Sequence, residues 1–214
     1  MKGRLRVKIA LAMLLLALAC AAVPAIRHSI LRAGGWLLVV NEQTKSADVI
    51  VVSGEAASAG VLEASDLVQS GVASRVAVFT YPDDAVEKEF VRRGIAFPDR
   101  TGRFVGELKS LGVADVERIP AYVTGSEDEG PVLARWCDEQ GIHSVVVVGA
   151  RDHTRRLRRL FHRSLKGHNA TVVVCSSRYS LFDPDRWWNS HGGVRTEIIE
   201  LEKLFLDVVR HPIS

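Results

Sequence analysis

Motifs that announce a chemistry are scarce in these 214 residues. There is no GxGxxG and no Walker loop, so a dinucleotide or P-loop nucleotide site lacks its usual glycine-built phosphate cradle. Cysteine is sparse. Cys20, Cys137 and Cys175 form no CxxC, and no pair of histidines has metal-ligand spacing, so no metal is expected. The three lie in an apolar N-terminal run, an expected helix and an expected strand, and read as buried reduced thiols. A Cys137 to Cys175 disulfide stays open, because sequence does not supply its geometry. Charge of one sign is not in excess: the net charge is +3, and without basic residues gathered on one surface no nucleic acid partner is expected. Internal repeats, low-complexity tracts and signs of a second globular domain are missing as well. With 25% charged and 47% hydrophobic residues, the chain is neither disordered nor a polytopic membrane protein.

What the sequence does contain begins with an uncharged stretch over 9–26, dominated by Leu and Ala and preceded by Lys2, Arg4, Arg6 and Lys8. A bilayer span needs about 20 apolar residues, and basic residues mark the cytoplasmic side. The expectation is a single-pass anchor in the inner or plasma membrane over 1–30, N-terminus cytoplasmic. A juxtamembrane segment over 31–45 and an extracytoplasmic (periplasmic) domain over 46–214 would follow. Two alternatives remain open: signal cleavage near Ala17-Leu18-Ala19, and lipidation at Cys20. All three export the domain.

From Ser46 onward, β-branched runs alternate with helix-like segments. This predicts an α/β fold: a Rossmann-like, three-layer parallel sheet with helices on both faces, preceded by the N-terminal transmembrane helix. Strands are expected over 48–53, 75–79, 116–119, 144–148 and 171–175; the runs VIVV and VVVV suit strands covered on both faces. Helices are expected over 60–69, 84–93, 102–111, 127–140, 152–165 and 195–209, with Gly71 and Gly141 as left-handed caps. Residues 182–193, with paired Trp187 and Trp188, read as an ordered loop whose tryptophans pack.

Ligands of open parallel sheets sit beyond the carboxyl ends of the strands, which directs attention to three turns. After the first strand comes Ser53-Gly54-Glu55, where a small residue lets backbone amides approach a ligand. The second turn leads to Ser126 and Glu129, an S-x-x-E pair that reads as a capping box or, in company, as part of an anion site. After the fourth strand, Arg151-Asp152-His153-Thr154-Arg155-Arg156 opens the most basic helix. His153 shares a face there with Leu157, Leu160 and Phe161, and an imidazole and a guanidinium at a helix start suit a phosphate or carboxylate. Arg155, Arg158, Arg159, Arg163 and Lys166 read as a solvated surface or as contacts to anionic lipid.

The stretch Ala47-Asp48-Val49-Ile50-Val51-Val52, the Ala64-x-x-Leu67-x-x-x-Gly71 spacing, Ser126-x-x-Glu129, His153-x-Arg155-Arg156, Trp187-Trp188 and Glu202-Lys203-Leu204 together resemble the YdcF-like family, the bacterial group that includes SanA and ElyC. The resemblance spans about 31–209. It implies a Rossmann-like fold, an N-terminal membrane helix, a link to cell-envelope or cell-wall biogenesis, and a pocket where the turns after strands one, three and four converge. Three departures stand out. Glu55 replaces the second glycine of a Gly-Gly turn, Gly60 replaces an arginine, and Phe79-Thr80-Tyr81-Pro82 replaces a Ser-Gly-Gly turn.

Two functions follow as expectations. In the first, the domain binds a phosphorylated or otherwise anionic small molecule, such as an anionic lipid or lipid-linked precursor. His153 would be proton donor or anion ligand, Glu129 orienter or base, and Arg155 and Arg156 clamps, with Ser53, Gly54, Glu55 and Ser126 lining the site; no cofactor is identified. The second is a non-catalytic envelope interaction or scaffold module. Glu55 discriminates: if its carboxylate fills the cleft or pairs with Arg156, an external anion has no place.

Overall fold

The computed structural model describes residues 7–9, 11, 13, 23–96 and 99–212. Most of the apolar stretch over 9–26, with Cys20 and the Ala17-Leu18-Ala19 site, lies outside them. Among the described residues no helix is long and apolar enough to cross a membrane.

Five strands, β1 (Val49–Val52), β2 (Arg75–Thr80), β3 (Asp115–Tyr122), β4 (Ser144–Gly149) and β5 (Thr171–Ser176), form one parallel sheet in the order β3-β2-β1-β4-β5. Helices α1 (Pro24–Leu38), α2 (Ala57–Gln69), α3 (Ala85–Arg92), α4 (Arg100–Ser110), α5 (Ser126–Gln140), α6 (Thr154–Ser164) and α7 (His191–Arg210) surround it, with short 3-10 turns at Gly54–Ala56, Arg151–His153 and Trp187–Asn189. The chain is thus an α/β protein of Rossmann-like layering, and the expected strands and helices are present with shifts of a few residues at their ends.

Successive residues of a strand face opposite sides, and here both sides are covered. Val49, Val51, Ala77, Val145 and Val147 pack with Leu133, Trp136, Leu157 and Phe161 of α5 and α6. Ile50, Val52, Val76, Val146 and Val148 pack instead with Val61, Ala64, Leu67, Phe104 and Leu108 of α2 and α4. That double covering is why the central strands β1 and β4 are unbroken Val/Ile runs, whereas the edge strand β3, DVERIPAY, is largely exposed. Gly71 and Gly141 adopt φ of 78° and 63°, the left-handed conformation expected where α2 and α5 stop.

Two parts differ from expectation. The segment over 31–45, for which no secondary structure is expected, begins as helix: α1 runs to Leu38 and packs along α7, where Leu38, Val39, Phe182 and Leu204 form a third apolar cluster. Trp187 packs against that cluster and donates from Nε1 to the Leu31 carbonyl at 2.8 Å, while Trp188 stacks on His28. The expected loop over 182–193 contains a 3-10 turn and the first residues of α7, which begins at His191 with Ser190 capping the Gly193 amide. Cys137 and Cys175 are buried and free, so they are not a disulfide here.

The strand order reverses direction between β1 and β4. Loops leaving these neighbours diverge to opposite sides there, opening a crevice at the carboxyl edge of the sheet.

Candidate functional site

Three turns meet at that crevice. Ser53, Gly54 and Glu55 follow β1, Ser126 and Glu129 open α5 after β3, and His153 and Arg156 follow β4; α7 adds Glu200 and Lys203. Of the residues expected there, seven converge. The eighth does not: Arg155 points to α1, donating to the carbonyls of Leu37, Trp36 and Val39. At 100° per residue Arg155 and Arg156 cannot share a face. Arg155 therefore satisfies the carbonyls at the end of α1 rather than clamping an anion.

The S-x-x-E pair is not a capping box either. Gly125 is the N-cap of α5, Ser126 is the first helical residue, and its hydroxyl accepts from Arg156 Nη1 at 2.8 Å. Glu129, 1% exposed, turns into the protein. It accepts from the Ser53 hydroxyl at 2.7 Å, the Gly54 amide at 3.0 Å and the Tyr81 hydroxyl at 2.6 Å. Burial raises its pKa against the pull of these three donors, and the Glu55 charge adds to the rise. The amide expected to greet a ligand is thus occupied by an internal carboxylate.

Tyr81 and Arg100 complete this filling. A Cβ at Gly54 would collide with the Tyr81 hydroxyl, so the packing of Tyr81 is by itself a reason for glycine there. The Arg100 guanidinium lies 4.3 Å from the Tyr81 ring centre and donates to the Gly54 carbonyl at 2.6 Å. Burial, then the neighbouring Glu129 charge, raises the Tyr81 pKa, so its phenol stays protonated. Gly60 has a packing reason as well: a Cβ there would lie 2.5 Å from Ala56 Cβ and 3.0 Å from Val52 Cγ1, so α2 could not sit this close to β1 with an arginine.

At the mouth, charges neutralise one another. Arg156, 5% exposed, pairs with Glu200 at 3.2 Å and Glu55 at 3.3 Å. The Glu55 carboxylate also meets His153 Nε2, which lies 3.5 Å from Glu200; His153 Nδ1 lies 2.6 Å from Asp152, and Lys203 holds Glu200 at 2.7 Å. Burial works against both charged forms, but the pairing prevails. Hydrogen bonding and charge from His153, with the charges of Arg156 and Lys203, bring Glu55 to about 2, and Asp152 and Glu55 raise His153 to about 9.

The sign of the resulting pH dependence is fixed. The depressed Glu55 contributes stability above its ordinary 4.5 that is lost as pH falls toward 2; the raised His153 contributes below its ordinary 6.5, and this is lost as pH rises through 9. Wild type should therefore exceed Glu55→Gln in melting temperature most between pH 4.5 and 6.5, with the gap closing toward pH 10. Parallel melting curves across that range would refute the pairing.

One donor atom each of Glu55, His153 and Glu200 lie within 4.8 Å of one another, a grouping of the size a divalent cation takes. Three separate elements supply it, so no spacing in the sequence could reveal it. Arg156 and Lys203 already compensate both carboxylates, which opposes a further positive charge. Tyr81, Arg100, Asp152 and Glu200 were not expected at the site. Tyr81 was visible only as a departure from the family pattern, Glu200 only as a neighbour of the Glu202-Lys203-Leu204 ending.

No family model matches the chain, and no curated protein matches it. Among solved structures it is similar to a universal stress protein in complex with cAMP, at 18% identity and a TM-score of 0.36, over 62% of this chain and 99% of that one. It is also similar to HcgE from Methanothermobacter marburgensis, bound to guanylylpyridinol and ATP, at 19% identity and a TM-score of 0.33, over 63% of this chain and 62% of that one.

Proposed function

We propose that this chain is a membrane-tethered, YdcF-like envelope protein whose switch-point cleft is closed from within, and that it works as a non-catalytic interaction or scaffold module. One observation carries the reading: Glu55 sits on both His153 and Arg156, the two cations an external anion would need. Glu129 takes the backbone amide and hydroxyls on the inner side in the same way. An anion site leaves its cations open to the ligand, whereas here a carboxylate of the protein already lies on both. The tether rests on the uncharged stretch over 9–26 with its basic flank, and on α1, which begins at Pro24 and carries exposed Ile26 and Ile30. The family resemblance supports an envelope role.

A second reading is favoured by a different observation. Glu55 is a third exposed in its side chain, while its partners His153 and Arg156 are far more buried. It is the member able to swing out, and a phosphorylated or anionic small molecule, such as a lipid-linked precursor, would replace it on His153 and Arg156.

Calorimetric titration of the full chain in nanodiscs, with inorganic phosphate and with a short-chain prenyl phosphate, separates the two. The scaffold reading expects no saturable binding by wild type, and uptake of at least tenfold higher affinity after Glu55→Ala. Saturable binding by wild type that disappears in a folded His153→Ala variant would overturn it in favour of the ligand reading.

A further inference from the structure

The contact between α1 and α7 contains a carboxyl group with no visible reason to be there. Glu197 is 1% exposed, and neither of its side-chain oxygens has a hydrogen-bond partner. It faces α1 where that helix presents Gly34: a Cβ at this position would lie 3.1 Å from Glu197 Oε1 and 4.0 Å from the Trp187 ring. Gly34 lets α1 approach Glu197 of α7, and the neighbouring Gly35 lets it approach the segment before α7, since a Cβ there would run into the Pro184 backbone. An ionised carboxylate in such a place has neither water nor a cation to stabilise it, whereas a neutral carboxyl costs far less to bury.

We propose that Glu197 is a proton-operated latch: neutral, it lets α1 dock on α7, and ionised, it loosens α1 from the body of the domain. Among the described residues no cation pairs with it; Arg195, two residues earlier on α7, instead lines the hollow with Asp152 and His153. From the turn Arg151–His153, Asp152 acts on it with like charge, and His153 is directed to Asp152 and Glu55. On α1 the facing residue is Gly34, and Arg32 is held by Asp185 at 2.8 Å. On α6, Arg155 serves the α1 carbonyls and Arg156 serves Glu200 and Glu55; on α7 itself Glu200 is held by Lys203. Burial first, then the Asp152 charge, raises the Glu197 pKa from 4.5 to about 7, within the range that a change of surroundings can cross. Because the docked pKa is the raised one, docking is strongest below 4.5 and weakens as pH rises through about 7.

This device differs from the cleft and does not depend on what the cleft binds. It would carry a change of pH to the helix that leads into the N-terminal apolar stretch. The remaining ties of α1, among them Trp187 to Leu31 and Trp36 to Asp185, keep it nearby when the latch opens.

Hydrogen exchange on the full chain in nanodiscs, expressed as protection factors for amides 31–38, tests the proposal. Titration near 7 when docked against 4.5 in water sets a ceiling of roughly 300-fold on the response. Protection should fall at least tenfold between pH 5 and 8.5 in wild type and stay flat in Glu197→Gln, while β1 and β4 amides do not follow. In Asp152→Asn, which removes the like charge, the loss should be smaller and level off at lower pH. Flat protection in wild type, or the same transition in Glu197→Gln, would overturn it; if Glu197→Gln failed to fold, an unmoved transition in Asp152→Asn would do so.

Discussion

Replacing Arg156 by Met is expected to lower the unfolding free energy by about 3 kcal/mol or more, the cost of leaving buried carboxylates without their cation. Glu200 is 3% exposed and loses the guanidinium at 3.2 Å, Glu55 loses one of its two cationic partners, and Ser126 loses the donor on its hydroxyl. Lys203 and His153 remain beside the same carboxylates and keep the loss at the lower end of the range. The diagnostic is non-additivity. Adding Glu200→Gln to Arg156→Met should restore part of the stability, because the second change removes the charge that the first exposed. Urea midpoints for the two single variants and the double variant check this; a double variant as unstable as the sum of the singles would mean that Arg156 acts through packing alone.

The second large effect is expected at Glu129. Glu129→Leu leaves the Ser53 hydroxyl, the Gly54 amide and the Tyr81 hydroxyl without their acceptor, and each orphaned buried donor costs about 1 kcal/mol or more. A total loss of roughly 3–4 kcal/mol follows. Tyr81→Phe added to Glu129→Leu should recover about 1 kcal/mol, since one orphan disappears with its hydroxyl. Thermal and urea denaturation of the three variants provides the measurement. Glu129→Leu within 1 kcal/mol of wild type would show that these donors find other acceptors, and the account of a crevice sealed by Glu129 would fall.

The layers of this fold were legible because its strands carry their own evidence. Val49–Val52 and Ser144–Gly149 are buried on both faces, which makes continuous apolar runs, and Gly71 and Gly141 stop helices in a conformation that glycine adopts freely. The meeting of His153 with Glu55, and of Arg156 with Ser126, was also within reach, since a parallel sheet gathers the turns at one edge. Contacts set by side-chain direction were not. Arg155 and Arg156 are adjacent in sequence and chemically identical, yet helical rotation sends one to α1 and the other to the crevice. Ser126 and Glu129 have the spacing of a capping box, but long-range partners outcompeted the local one: Arg156 claims the hydroxyl and Tyr81 the carboxylate. Glu197 left no trace at all, because an acidic residue in an amphipathic helix looks solvated until its neighbour Gly34 is known.

The self-neutral set at the mouth also constrains how this protein can change. Glu55, Asp152 and Glu200 balance His153, Arg156 and Lys203, and of these Arg156 and Glu200 are almost fully buried, so that losing either strands the other inside the protein. Exchange of either of these two residues alone therefore passes through a less stable intermediate. Exchange without that cost needs both substituted together, so the Arg156–Glu200 pair behaves as an evolutionary ratchet.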